Sequence, residues 1–220
     1  MSKPTEVYFT FFKRMKELGA PLHKVIDCGA FEGKWTERLK TFYPGAEVYL
    51  IDASEKHKDK LNSLGIFKQA YLADRQELRQ FYYSESNEDF SGDSLYKENS
   101  NFPYKMKKVT TQRLCDVVPD QPYDLIKMDL QGAEIEVIDG SLELFLKTKW
   151  VQLECAVFDN NQGAPSFAQI VNYMTNSGFR VFDIENMYFN NRLMGIDLVF
   201  NNITLPKVIE TEATSLVYKI

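Results

Sequence analysis

The chain has 220 residues, 44% hydrophobic and 26% charged, with a formal net charge of −5, the profile of an ordinary globular protein. That length is compatible with one domain, residues 1–220, able to bury roughly 70% of the surface its unfolded form exposes. The acidic balance gives no support to a nucleic-acid partner, no apolar run approaches the ~20 residues of a transmembrane segment, and no signal-peptide pattern opens the chain, so a cytoplasmic location is expected by default. The three cysteines, Cys28, Cys115 and Cys155, form no CxxC pair and read as small reduced residues, two of them in predicted strands. Oligomeric state is not legible, and a homodimer is compatible with this composition.

In chain order, apolar groups at helical spacing over residues 5–18 predict that residues 1–20 form an N-terminal amphipathic helix, with Gly19 as its C-terminal cap. A strand is predicted at 24–28, then a helix over Lys34–Tyr43 stopped by Pro44-Gly45. A second strand spans Glu47–Asp52, a second helix Glu55–Leu64, and a third strand Ile66–Leu72. Gln80–Ser84 is strand-like. The polar stretch 84–108 is the one long irregular segment, and such segments are usually functional; it is expected to be a lid or substrate loop. Strands at Leu125–Asp129 and Trp150–Val157 alternate with helices at Ala133–Phe145 and Ser166–Ser177. Phe179–Ile184 and Ile196–Phe200 close the pattern with no helix between them, which predicts an antiparallel hairpin at a sheet edge. Residues 203–220 form a tail. The fold expected is α/β, a mostly parallel sheet with helices on both faces.

Chemistry concentrates in two blocks. In the first, Val25-Ile26-Asp27-Cys28-Gly29-Ala30-Phe31-Glu32-Gly33 is followed by a strand ending at Asp52. Ligands of open parallel sheets bind beyond the carboxyl ends of the strands, and an acid ending the second strand can accept both ribose hydroxyls. Gly29 and Gly33 permit close approach of backbone to ligand. Ala30 and Phe31 in the turn, and Ala53 after Asp52, are expected to line the same nucleoside site. A dinucleotide fingerprint needs G-x-G-x-x-G; here Phe31 replaces its second glycine, and Asp27 would repel a diphosphate but suit a cationic amino group. Spacing and charge therefore favour S-adenosylmethionine over a nicotinamide dinucleotide. Asp74, after the third strand, is placed to accept from an adenine amino group, or is a solvated turn residue. The second block is Lys127-Met128-Asp129-Leu130-Gln131-Gly132-Ala133-Glu134. Lys127 and Asp129 share a strand face, and a lysine inside a covered strand must find a partner or snorkel. Glu134 starts a helix, where it either complements the dipole or acts chemically. Glu154 and Gln152 converge on the same sheet edge.

With these residues in view, the chain resembles the FkbM-family methyltransferases of the class I, Rossmann-like fold over about residues 22–202. Val25–Gly33, Asp52, Ala73-Asp74, Ser91–Leu95, Lys127–Glu134 with Gly140, Leu153-Glu154 and Asp197–Phe200 carry the likeness. The resemblance implies a seven-stranded sheet, S-adenosylmethionine as cofactor with S-adenosylhomocysteine as product, and methyl transfer to a hydroxyl, or a carboxyl, of a small-molecule, sugar or lipid-type acceptor. Two positions depart from the family pattern. Gln131 stands where Glu is usual, and Asp52-Ala53 where Glu-Pro is usual.

The catalytic candidates are Asp129 first, then Glu134 or Glu154, with Lys127 orienting Asp129 by an ion pair; Asp129 would also border the cofactor. The two histidines are not favoured as bases, His23 reading as structural and His57 as exposed. No ligand spacing demands a metal. The rival readings are a non-catalytic module of the same fold and a nicotinamide-dependent reductase.

Overall fold

The computed structural model describes residues 5–8, 11–84 and 92–206. Along the chain lie β1 (Thr5–Tyr8), α1 (Phe11–Glu17), β2 (Lys24–Cys28), α2 (Lys34–Phe42), β3 (Glu47–Asp52), α3 (Lys58–Leu64), β4 (Ile66–Gln69), β5 (Leu78–Tyr83), β6 (Lys105–Thr110), α4 (Leu114–Val117), β7 (Leu125–Met128), α5 (Glu134–Gly140), α6 (Leu142–Leu146), β8 (Trp150–Ala156), α7 (Phe167–Asn176), β9 (Phe179–Phe189) and β10 (Leu193–Asn202).

The main sheet runs β1-β9-β10-β8-β7-β2-β3-β4. Strands β4, β3, β2, β7 and β8 pair in parallel, and β10 and β9 form the expected antiparallel hairpin against β8. These are the seven strands predicted. The central strands read as nearly continuous apolar runs because both their faces are covered. Alternate side chains feed two cores: Ile26, Ile126 and Leu153 pack with Ile138, Phe145 and Met174 on one face, while Val25, Leu50 and Leu125 pack with Phe12, Leu39 and Leu61 on the other. No helix among the described residues is long and apolar enough to cross a membrane.

Several boundaries differ from the sequence reading. Residues 5–18 are not one helix: Thr5–Tyr8 pairs with the outer edge of β9 as an eighth strand and the helix begins at Phe11. A short aromatic and β-branched run suits either structure, and an edge strand's unpaired backbone decided it. The helix predicted over 133–145 is two, because Ser141 leaves helical geometry at φ −137° and its hydroxyl accepts from the Cys115 amide at 3.1 Å. Helix α3 starts at Lys58 and β4 ends at Gln69, both shorter than expected. Within 84–108, Lys105–Lys108 belong to β6, which pairs with β5 as a separate hairpin. Its lysine-rich, largely exposed sequence hides strand periodicity. The loop's residues 85–91 and the tail's residues 207–220 lie outside the described residues.

Candidate active site

From β2 the sheet order runs outward one way through β3 and β4, and the other way through β7 and β8. The order reverses between β2 and β7, and a crevice opens beyond their carboxyl ends. Two cavities meet there. The first, of about 200 Å³, is lined by Asp52, Ala53 and His57 from the β3–α3 turn, by Ala70–Leu72, and by Asp93–Leu95. The second, of about 610 Å³, is lined by Ala30, Trp35 and Arg38 from the turn after β2 and from α2, and by Lys127, Glu154, Asn186, Tyr188 and Asp197 from β7, β8, β9 and β10. Gly29, Phe31 and Asp129 line both.

The turn after β2 is built for close approach. Gly29 sits at φ +72°, and a Cβ there would lie 1.9 Å from the Asp129 carbonyl oxygen; the glycine is demanded by the neighbouring strand end. Gly29→Ala is therefore expected to push the two turns apart, at a cost of about 3 kcal/mol or more. For a chain of this size that lowers Tm by roughly 6–12 °C, readable by calorimetry. Gly33, at φ +74°, lines neither cavity; a Cβ on it would meet Leu64 Cδ1 at 2.5 Å, so it lets α2 start against α3.

Phe31 adopts φ +46°, which aims its amide at Asp52. Asp52 Oδ2 accepts from Phe31 N–H and Oδ1 from Ser54 N–H, each at 2.8 Å. Burial raises this carboxyl, while the two amides and Lys127 oppose the rise. The Phe31 ring stands edge-on to His57, centroids 5.2 Å apart. His57 is half-buried rather than exposed, and its Nε2 is buried with no partner among the described residues.

Asp27 lines neither cavity. It is fully buried, accepts from Thr36 Oγ1 at 2.7 Å and lies 3.4 Å from Lys127 Nζ. The expectation that it meets a ligand's amino group is not matched by this placement; it anchors Lys127 from below. Asp74 also lies outside both cavities, paired with Arg75 at 2.8 Å.

Lys127 reaches the Gly29 carbonyl at 3.1 Å and Asp129 at 3.6 Å. Burial opposes its charge, but Asp27, Asp129, Asp197 and Glu154 outweigh that and keep the ammonium protonated. Gln131, held at φ +53°, donates its amide to both Asp129 Oδ1 at 2.8 Å and Glu154 Oε2 at 2.6 Å. Burial pushes Asp129 up, but Lys127 and the hydrogen bonds of Glu154 and Gln131 hold it below the usual carboxylate range. Glu154 is driven well above that range by burial and by Asp129. The two carboxyls are thus driven in opposite directions, Asp129 towards the ionised form and Glu154 towards the protonated one, and Asp129 faces both cavities. Glu134 does not join them. Its carboxylate accepts from Leu130 N–H at 2.8 Å and Gly132 N–H at 3.1 Å, closing its own turn, and burial raises it to about 7.

Residues of the second cavity that escaped the sequence reading as site residues include Trp35, Arg38, Asn186, Tyr188 and Asp197. Signals existed. Trp35 and Arg38 stand one helical turn apart just after the glycine turn, and Asn186 and Tyr188 alternate on one strand face.

Comparison with known proteins agrees with this architecture. No curated protein matches the chain. Two solved structures of magnesium protoporphyrin IX methyltransferase from Synechocystis PCC 6803 are similar. One, with bound S-adenosylmethionine, is 16% identical and covers 87% of this chain and 74% of that one, at a TM-score of 0.52. The other, with bound S-adenosylhomocysteine, is 14% identical and covers 87% and 80%, at 0.51. Likeness at this identity shows the shared fold. The sequence also matches the family described as "Methyltransferase FkbM domain" over residues 27–181, which takes in Asp52, Asp129, Gln131 and Glu154. With a match over more than half its length and the fold to go with it, the chain belongs to the FkbM methyltransferase family.

Proposed function

We propose that the protein is an S-adenosylmethionine-dependent O-methyltransferase acting on a hydroxyl of a small acceptor, with Asp129 as the proton acceptor. The observation that carries this reading is the shared wall. One cavity has the nucleoside features, the other the polar side chains, and Asp129 faces both.

The first cavity fits the cofactor. Asp52 supplies a ribose acceptor already oriented by two backbone amides. Ala70 and Leu72 supply apolar surface, and the orphaned His57 Nε2 is a ready polar contact. When bound, the cofactor supplies a methyl on a sulfonium, already activated for transfer. The protein then has to position the partners, which supplies ~7–11 kcal/mol of barrier reduction, and accept a proton. Transfer would break the methyl–sulfur bond, leaving its electron pair on sulfur as the neutral thioether of S-adenosylhomocysteine, while the acceptor's hydroxyl oxygen takes the methyl and its proton passes to Asp129. Lys127 keeps Asp129 ionised beforehand, and the Gln131 amide with the Glu154 proton fixes its orientation.

Calorimetry tests the assignment directly. S-adenosylmethionine and S-adenosylhomocysteine should both bind; binding of neither would sink it, and NADH binding in their place would select a reductase. Gln131→Glu tests the pair. The new carboxylate removes the shared donor and adds like charge, which raises the Asp129 pKa. Because the base works ionised, the acidic limb of the methyl-transfer pH profile should move up by about one unit or more. An unmoved limb would remove Gln131 from the pair.

A further inference from the structure

We infer that the second cavity is built for a neutral, polyhydroxylated acceptor of sugar size, a conclusion that rests on the methyltransferase reading above. Its walls decide the class by elimination. Ten of its fourteen lining residues carry polar or charged side chains, set among apolar surface: a wholly apolar chain seated there would strip water from Lys127, Asp129, Glu154, Asp197 and Tyr188 and return no hydrogen bonds. An anionic acceptor would face the ionised Asp129. A cationic one would face Lys127 and Arg38, whose charges are already matched by Asp27 with Asp129 and by Glu185. A neutral ligand rich in hydroxyls meets neither penalty.

The cavity also holds a donor-seeking site. Asn186 is 2% exposed, its amide bonds to Tyr188, and its Oδ1 is buried with no partner among the described residues. A buried carbonyl oxygen left unpaired costs free energy that a ligand hydroxyl would recover. Across the strand pair, Asn186 is registered against Asp197. Tyr188 donates to Asp197 Oδ2 at 3.0 Å, which fixes that carboxyl group on the cavity wall. Two adjacent acceptors on one wall match two neighbouring hydroxyls. The same cavity is lined by Trp35, whose indole N–H is tied to Gln152 Oε1 at 3.2 Å. Its ring is thereby held as an apolar surface of the kind that packs against the C–H face of a sugar. The acceptor would lie against this ring and the Asn186–Asp197 pair, with the hydroxyl to be methylated at Asp129.

The test uses the full chain saturated with S-adenosylhomocysteine and a panel of methyl glycosides of glucose, galactose, mannose, rhamnose and fucose, with hexylamine and hexanol as cationic and apolar controls. Binding is followed by saturation-transfer NMR and calorimetry. At least one glycoside should bind and neither control should. Asn186→Leu should weaken that glycoside about tenfold or more while adenosylhomocysteine affinity holds, and Asn186→Asp, which restores an acceptor, should recover part of it. Binding of a control but no glycoside would overturn the inference, and so would a full panel without binding while adenosylhomocysteine still binds. Absence of adenosylhomocysteine binding in the wild-type chain would instead overturn the methyltransferase reading, and this inference with it.

Discussion

Asp129→Asn is expected to reduce kcat for methyl transfer by about 10²–10⁴-fold, the usual worth of a positioned general base. S-adenosylhomocysteine affinity should stay within about threefold. The asparagine keeps the shape of the side chain and can still accept from Gln131, so the turn between the two cavities survives. What it loses is the capacity to take a proton. In the wild-type protein that capacity is set by position: the Lys127 ammonium beside it and hydrogen bonds from Glu154 and Gln131 overcome burial and keep Asp129 ionised. Glu154 is a poor substitute, because burial and its charged neighbour push it towards the protonated form. Single-turnover rates with labelled methyl donor, beside calorimetry with the demethylated product, separate the two quantities. Turnover unchanged in the variant would take Asp129 out of the reaction.

The second large effect is expected at Asp52. Asp52→Ala removes the acceptor for the Phe31 and Ser54 amides and the proposed ribose acceptor at one stroke. Hydrogen bonds to a charged group contribute ~1.5–3 kcal/mol each, so losing two to the ribose would weaken adenosylhomocysteine by about 10²-fold or more. Loss of the Phe31 amide contact adds to this, because φ +46° is costly for a residue with a Cβ and the turn would relax. Asp52→Asn keeps an oxygen for one of the amides and should fall between the two. Calorimetry on both variants suffices, and equal affinity in all three proteins would remove Asp52 from the site.

The contrast between Asp129 and Asp27 shows what pattern reading can and cannot reach. Both acids sit at or next to strand ends beside a glycine turn, and by spacing alone both belong to the site. In the folded chain one faces two cavities while the other is sealed under Lys127 and Thr36. Two residues along a strand is the whole difference, because Asp27 lies inside β2 and Asp129 one residue past β7. Glu134 gives a similar lesson: the position is in the motif, but the nearest donors are the amides of its own turn. Gln131 shows the reverse. It stood out only as a departure from a family pattern, yet it holds the one amide shared by Asp129 and Glu154.

The sequence by itself determined the sheet, its antiparallel edge, the two-sided core and the cofactor class. These follow from local periodicity and from residues close together along the chain, where spacing converts directly into geometry. Only the tertiary structure decided that Asp129 and Glu154 are driven in opposite directions, that His57 lines the first cavity, and that Trp35, Asn186 and Asp197 line the second. The second cavity draws its lining from α2 and from β7 to β10, segments far apart along the chain, and charge state depends on burial and on neighbours that no window of sequence contains. The N-terminal strand belongs with them: Thr5–Tyr8 became a strand because β9 left an open edge beside it.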